Sequence, residues 1–365
     1  MPLPGPQSSV FFLLLVAAFA VAIWRAVVSR RVAFRILAGV LAFVPAMLVG
    51  VAAVNKYYDY YQTWGSMAAD MTQQGAGAAS GVPDVKLAGH SRSGTLDGSR
   101  AHLELAQQEG YLVRTTVTGQ RSRITRVVYV YLPPQYFQPA YARARFPVVL
   151  AVTGYPGLAG GIIHRLALPA VAARLIADGR ARPTVYVMLT VSPLFPADTE
   201  CTDIPGGPQV ASFLAQDVPR AVEQTFRVTA TPAGWGVLGY STGGYCAVKL
   251  AMMYPDRFSA AVSMAGYYQG VRGHPVPGLW GGSIGYWHEN SPGWRLRHLP
   301  APPVSVLVTS SRVGDESLPG TLAFLREIRP PMRGYSLIIP EGGHNFRTWS
   351  RELTPCLKWL SRRLS

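Results

Sequence analysis

The chain is short of acid. Of its 365 residues only 19 are Asp or Glu, against 34 Lys and Arg, which leaves a net charge of +15. An excess of that size would ordinarily suggest nucleic-acid binding, yet no basic run accompanies it. Lysine is scarce, and beyond one group near the N-terminus the arginines stand singly among prolines and aromatics. The charge therefore reads as a solvated surface suited to an anionic envelope, and nucleic acid is not an expected partner. Cysteine is nearly absent too. Cys201, Cys246 and Cys356 lack the spacing of a metal site, and their odd number leaves at least one thiol unpaired within the chain. Cys246 reads as a buried packing residue; the sequence leaves open whether it pairs with Cys201, a bond that an oxidising compartment would favour. No internal repeat is evident. Met1 to Ser9 carry no ionisable side chain, so the positive start of a secretory signal peptide is missing, as is its small-residue cleavage site.

Beyond Ser9 the chain turns apolar. Val10 to Trp24 run without a charge and continue through Ala26-Val27-Val28, interrupted only by Arg25. Ile36 to Val54 form a second uncharged run, close to the ~20 residues that cross a bilayer, and Pro45 within it is tolerable in a membrane helix. These runs are read as two uncleaved transmembrane helices, about 10–28 and 36–54, within a first region 1–56. Arg25, Arg30, Arg31 and Arg35 lie between them, so the positive-inside rule puts the connection in the cytoplasm and both ends outside. Tyr57, Tyr58, Tyr60, Tyr61 and Trp64 suit an aromatic belt at the outer interface. Residues 57–102 read as this aromatic segment and then a tether, because Gln73 to about Arg100 are rich in Gly, Ala, Ser and Pro.

The remainder, 103–365, is organised around Gly239-Tyr240-Ser241-Thr242-Gly243. An apolar run, Trp235 to Leu238, precedes this pentapeptide and helix-forming residues come after it. Strand, sharp turn with a serine, then helix is the setting of a nucleophile elbow. A serine nucleophile needs a base, and the base needs an orienting acid. Among downstream histidines, His344 has the fitting context: a strand-like run 335–339, then Pro340-Glu341-Gly342-Gly343-His344. His274, His288 and His298 lie in an irregular stretch and suit packing or substrate contact. The acid should come after the strand 304–309, where Asp315 and Glu316 are adjacent; Asp315 is preferred, with Glu316 as the alternative. The strand 147–153 runs into Gly154-Tyr155-Pro156-Gly157, which makes the backbone N–H groups of Tyr155 and Thr242 the candidate oxyanion donors. Neither metal nor organic cofactor is required by this set.

Several further pieces occur in order along the chain: Val128-Tyr129-Val130-Tyr131-Leu132-Pro133 with Tyr136, Tyr254-Pro255-Asp256-Arg257-Phe258, Asn290-Ser291-Pro292, and Gly343-His344-Asn345-Phe346 with Trp349. With the elbow, they make the block from about Tyr111 onward resemble the esterase D / mycolyltransferase branch of the α/β-hydrolases. The look-alikes are membrane-anchored hydrolases of actinobacteria, consistent with an arginine-dominated basic set. The resemblance implies acyl transfer through a serine ester, to water or to another hydroxyl. It implies glutamate as the acid in mycolyltransferases and aspartate in many hydrolase relatives, so it leaves the choice between Asp315 and Glu316 open.

The pattern beyond Tyr111 begins with two alternating runs, 112–117 and 124–131, suited to antiparallel strands. Strands at 147–153, 184–190, 235–239, 258–264, 304–309 and 335–339 then alternate with helices at 162–178, 209–226, 242–254, 319–328 and 348–363. Continuous apolar strands between amphipathic helices indicate a mainly parallel sheet covered on both faces, in keeping with the α/β-hydrolase fold that the resemblance implies. Tyr267 to Leu299 is too long for a simple connection and rich in aromatics; Trp280, Tyr286, Trp287 and Trp294 are its candidate substrate-binding residues. The expected function is an extracytoplasmic, membrane-anchored serine esterase acting on a lipid or other acyl ester. An acyltransferase passing the acyl group to an envelope hydroxyl, and a catalytically silent binding domain, stand as rivals. The oligomeric state has no sequence signal.

Overall fold

A computed structural model of the chain describes residues 6, 8–29, 31–58, 64, 84–85, 100–194, 197–273 and 276–365. The chain divides into two compact units. The first contains α1 (Ser9–Val28) and α2 (Val32–Tyr58). The Ser8 hydroxyl caps α1 by accepting the Phe11 N–H at 3.1 Å, satisfying one of the donors a helix start leaves open. Both helices are long and apolar enough to cross a membrane, and large side chains such as Leu13, Val27 and Phe43 face outward from them. α2 reaches well beyond the expected 36–54: backbone hydrogen bonding carries a helix past charged residues that end a hydrophobic run. Tyr60 and Tyr61 of the expected aromatic belt, and most of the expected tether, lie outside the described residues.

The second unit is an α/β layer structure. Its described strands are β1 (Asp84–Val85), β2 (Tyr111–Thr118), β3 (Thr125–Leu132), β4 (Val148–Val152), β5 (Val185–Leu189), β6 (Trp235–Tyr240), β7 (Ala260–Met264), β8 (Ser305–Val313) and β9 (Arg333–Glu341). They form one sheet in the order β1-β2-β3-β5-β4-β6-β7-β8-β9. β3 runs antiparallel to β2 and to β5; from β5 to β9 neighbouring strands are parallel. β4, β5, β6 and β7 are buried at every position. Helices cover both faces, and that is why these strands read as unbroken apolar runs.

Register decides where the loops emerge. Val152 pairs with Gly239, Gly239 with Ser263, and Met264 with Thr309. The C-terminal ends of β4, β6, β7 and β8 are therefore level, and the loops beyond them open on one edge, the place where open parallel sheets bind ligands.

The described α-helices of six residues or more in this unit are α3 (Arg100–Glu109), α4 (Leu168–Ala177), α5 (Val218–Thr225), α6 (Thr242–Met253), α7 (Ile284–Glu289), α8 (Pro292–His298), α9 (Leu318–Glu327) and α10 (Phe346–Arg363). Three departures from the sequence reading have local causes. The helix expected at 162–178 breaks into a π-turn, Gly161–Arg165, and α4, because Pro169 cannot continue an N-terminal helix ladder but suits a helix start. The one expected at 209–226 contains a π-turn, Phe213–Asp217, before α5. There the Asp217 carboxylate accepts the N–H groups of Arg121 and Ser122 at 3.2 and 2.9 Å, holding the β2–β3 turn. Finally, β1 and α3 fall within or against the stretch read as tether. Gln107 and Gln138 side chains donate amide bonds to the Phe137 and Gln107 carbonyls, both at 3.2 Å, which fastens α3 to the chain beyond β3.

Candidate active site

The elbow is strained in the sense its motif demands. Ser241 has φ 55° and ψ −125° at the start of α6, a conformation costly for any residue with a side chain. It is tolerated because the flanks carry none: a Cβ on Gly239 would lie 2.2 Å from the Gly243 carbonyl oxygen, and one on Gly243 would lie 2.3 Å from that of Thr153. The Gly154 backbone approaches closely as well, so that a Cβ there would sit 2.9 Å from the Ser241 Cβ. The loop carrying Tyr155 is thereby pressed against Ser241. The Ser241 carbonyl accepts the N–H groups of Gly244 and Tyr245, at 2.9 and 3.1 Å, and the Thr242 N–H, in the first turn of α6, is one of those the helix ladder leaves open.

His344, 103 residues downstream, brings Nε2 to 2.8 Å from Ser241 Oγ. Trp349 on α10 braces both partners: its ring stacks on Tyr240 at 4.5 Å and meets His344 edge-on at 5.2 Å. Burial holds the imidazole below its ordinary pKa, opposed first by the charge of Asp315 and then by that of Glu316. A base kept neutral near pH 7 is ready to accept a proton.

The two acids are separated by environment. Asp315 is buried and Glu316 exposed. The Asp315 carboxylate accepts the Ser317 N–H at 2.9 Å and the Ser310 hydroxyl at 3.2 Å, which fixes its orientation. Glu316 has no comparable anchorage among the described contacts.

The long aromatic segment folds as two short helices with connecting turns. Trp280 and Trp287 line a cavity of about 230 Å³ together with Arg272, Leu279 and Ile284. Their indole N–H groups donate to the Val271 and Gly270 carbonyls at 3.1 and 2.6 Å. Tyr286 and Trp294 are engaged elsewhere. The Tyr286 hydroxyl donates to the Asp203 carbonyl at 2.5 Å, and Trp294 is stacked between His288 and His298 at 5.1 and 4.3 Å. His288 and His298 thus serve packing, while His274 lies outside the described residues.

Cys201 and Cys246 form a disulfide, and Cys356 is free and buried. Beside that bond lies a group of ionisable residues that sequence reasoning passed over: buried Glu200 and Lys249 with half-buried Tyr267. Each looks ordinary in its own segment; only the fold unites them. The sole linear hint was the acid-rich loop Asp198-Thr199-Glu200-Cys201-Thr202-Asp203 around a cysteine. No cluster of His, Cys, Asp or Glu among the described residues could hold a metal ion.

The profile of the family described as "Putative esterase" matches residues 121–360. The chain belongs to this family. A relative from Corynebacterium glutamicum, an uncharacterized protein, is 23% identical over 99% of this chain and 84% of its own length. Among solved structures, a ferulic acid esterase superposes with a TM-score of 0.60 at 19% identity, covering 70% of this chain and 99% of its own. An S-formylglutathione hydrolase from Agrobacterium tumefaciens gives 0.59 at 16%, covering 71% and 97%. A fluorophosphonate-binding serine hydrolase of Staphylococcus aureus, FphF, gives 0.52 at 14%, covering 69% and 98%. Identities this low speak for the fold alone; the family match carries the class, a hydrolase of the esterase type.

Proposed function

We propose that the chain is a membrane-anchored, extracytoplasmic serine esterase that works through an acyl-serine. The observation that carries the proposal is the 2.8 Å approach of His344 Nε2 to Ser241 Oγ on a strained elbow. His344 Nε2 takes the hydroxyl proton as Ser241 Oγ attacks the ester carbonyl carbon. The carbonyl π electrons move to oxygen, and the N–H groups of Tyr155 and Thr242 receive the oxyanion. Collapse breaks the ester C–O bond; the alcohol leaves with the proton from His344, and the acyl group stays on Ser241. A water molecule, deprotonated by the same imidazole, then releases the acid and restores the serine. Asp315 stabilises the imidazolium formed at each step, whereas exposed Glu316 contributes only at longer range.

Two features support an extracytoplasmic site. The arginines between α1 and α2 favour a cytoplasmic connection, and the Cys201–Cys246 disulfide belongs to an oxidising compartment. The decisive experiment replaces the nucleophile. Ser241→Ala should lower kcat on a short p-nitrophenyl ester about a thousandfold or more and abolish labelling by a fluorophosphonate probe. Labelling that persists in this variant refutes the assignment.

A further inference from the structure

The edge of the sheet opposite the catalytic loops carries a hollow that the proposed reaction does not use. Between α4 and β5 the chain passes through Asp178-Gly179-Arg180-Ala181-Arg182, and this turn meets the last turns of α10. The Arg182 N–H donates to Ser361 Oγ at 2.6 Å, and the Arg182 guanidinium donates to the Leu364 carbonyl at 3.1 Å. Two segments 179 positions apart are thereby fixed to each other. Gly179, at φ 66°, ends α4 with open space where a side chain would stand. The result is a cavity of about 530 Å³ whose lining includes Arg180, Arg182, Lys358, Arg362 and Ser361 but no carboxylate.

Four cations border this cavity. Against them stand Asp178, whose carboxylate lies 3.8 Å from the Arg180 guanidinium with both groups about half exposed, and the C-terminal ends of α4 and α10. Each helix end is equivalent to roughly half a negative charge, so about two positive charges are left without a counter-charge. Lys358 and Arg362 make no hydrogen bond or ion pair among the described residues. Beside the cavity, and sharing Lys358 and Arg362 with it, is an apolar slot of about 260 Å³ walled by Leu307 of β8, Leu337 of β9, Pro355 and Trp359. Pro355, Lys358, Trp359 and Arg362 follow one another at helical spacing and form one stripe of α10. Lysine and arginine have apolar stems and charged heads, which lets the same two residues border both spaces.

We propose that these adjoining spaces bind a phosphate-bearing lipid, its phosphate among Arg180, Arg182, Lys358 and Arg362 and the first carbons of its chain in the slot. A phosphate monoester carries about −1.5 to −2 charges at pH 7, which matches the surplus. Arginine offers a fork of donors suited to phosphate oxygens, and lysine adds a compact charge. The slot is what separates such a lipid from free phosphate, for which an apolar wall has no use. α1 and α2 are long and apolar enough to cross a membrane, and a chain held in a membrane meets lipid at high effective concentration. The site shares no residue with Ser241, His344 and Asp315, and the inference stands apart from the acyl-serine reading.

The test titrates the full chain, solubilised in a non-ionic detergent at low salt, with hexyl phosphate, inorganic phosphate and hexylphosphocholine, and reads the rise in Tm. Hexyl phosphate should bind saturably and at least about tenfold more tightly than inorganic phosphate, because part of its chain leaves water. Hexylphosphocholine keeps the chain but has no net charge, and should bind at least about tenfold more weakly than hexyl phosphate. Combining Lys358→Gln with Arg362→Gln should weaken hexyl phosphate at least about tenfold. Leu337→Ser should weaken hexyl phosphate severalfold and leave inorganic phosphate unchanged. All these side chains reach the surface, so without ligand each variant should melt within a few degrees of the wild type. No saturable response to hexyl phosphate, or an equal response in the double variant, overturns the inference. Inorganic phosphate binding as tightly as hexyl phosphate gives the cavity to a free anion and overturns the lipid. Hexylphosphocholine binding as tightly as hexyl phosphate overturns the role of the four cations.

Discussion

At the scale of single residues, the site is decided by which groups are kept dry. His344 is held below its ordinary pKa by burial, and Asp315 and Glu316 pull it part of the way back. Attack requires the neutral imidazole, so kcat/KM should rise with pH through a limb below the ordinary histidine range. Asp315→Asn removes the larger of the two opposing charges, so the limb should move to lower pH while kcat falls at least about a hundredfold. Glu316→Gln should move the limb in the same direction by less and change kcat no more than severalfold. Steady-state profiles of the three proteins rank the acids; a larger loss in Glu316→Gln would reverse the assignment. Adjacent acids are indistinguishable in a linear string. Their separation needed the turn after β8 that buries one carboxylate and leaves the next in water.

The elements show the same division of labour. α10 was legible as an amphipathic helix, but not what it places on its inner face. Trp349 braces the elbow and the base, and three residues on, Glu352 is fully buried with Oε2 accepting the Thr309 hydroxyl at 2.7 Å. Burial raises its pKa to about 8, with Asp315 adding to the rise and the Thr309 bond and Arg351 opposing it. The native state therefore holds this proton more tightly than the unfolded chain does. That contribution is complete below the unfolded carboxyl's pKa and is lost as pH climbs through about 8. Glu352→Gln should thus raise Tm relative to the wild type at pH 9, by an amount worth a few kcal/mol at most, and help little at pH 5. Thermal melts at both values check this; equal shifts would mean the carboxyl does not change its charge over the range. The segment 267–299 repays a similar comparison. Its aromatic content marked it as folded, yet of four candidate contact residues only Trp280 and Trp287 face the cavity. Spacing along a chain without regular periodicity gives no clue to which rings turn inward.

For the whole molecule, the two apolar helices and the hydrolase unit pose a question of sidedness. If the connection between α1 and α2 is cytoplasmic, protease added to intact spheroplasts should remove the 100–365 block and leave the apolar hairpin behind. A domain untouched until the membrane is lysed would place it inside, and would leave the Cys201–Cys246 bond without its compartment. Cleavage is expected between residues 59 and 99, where Gly, Ala and Ser prevail.

Much of this protein was written locally. Runs of apolar residues long enough for a bilayer, buried strands without alternation, and a serine between glycines each express a constraint that acts over a few residues: bilayer thickness, coverage of both sheet faces, the steric limit of a sharp turn. Those constraints determined the class and the order of most elements, and they singled out Ser241 and His344 as candidates. The burial that separates Asp315 from Glu316 and the selection among the aromatics appeared only in the folded chain, and the Glu200–Tyr267–Lys249 group arose when folding brought segments 49 to 71 positions apart into contact. Burial and hydrogen bonding between such segments depend on the three-dimensional path of the chain, and no short window of residues contains that path.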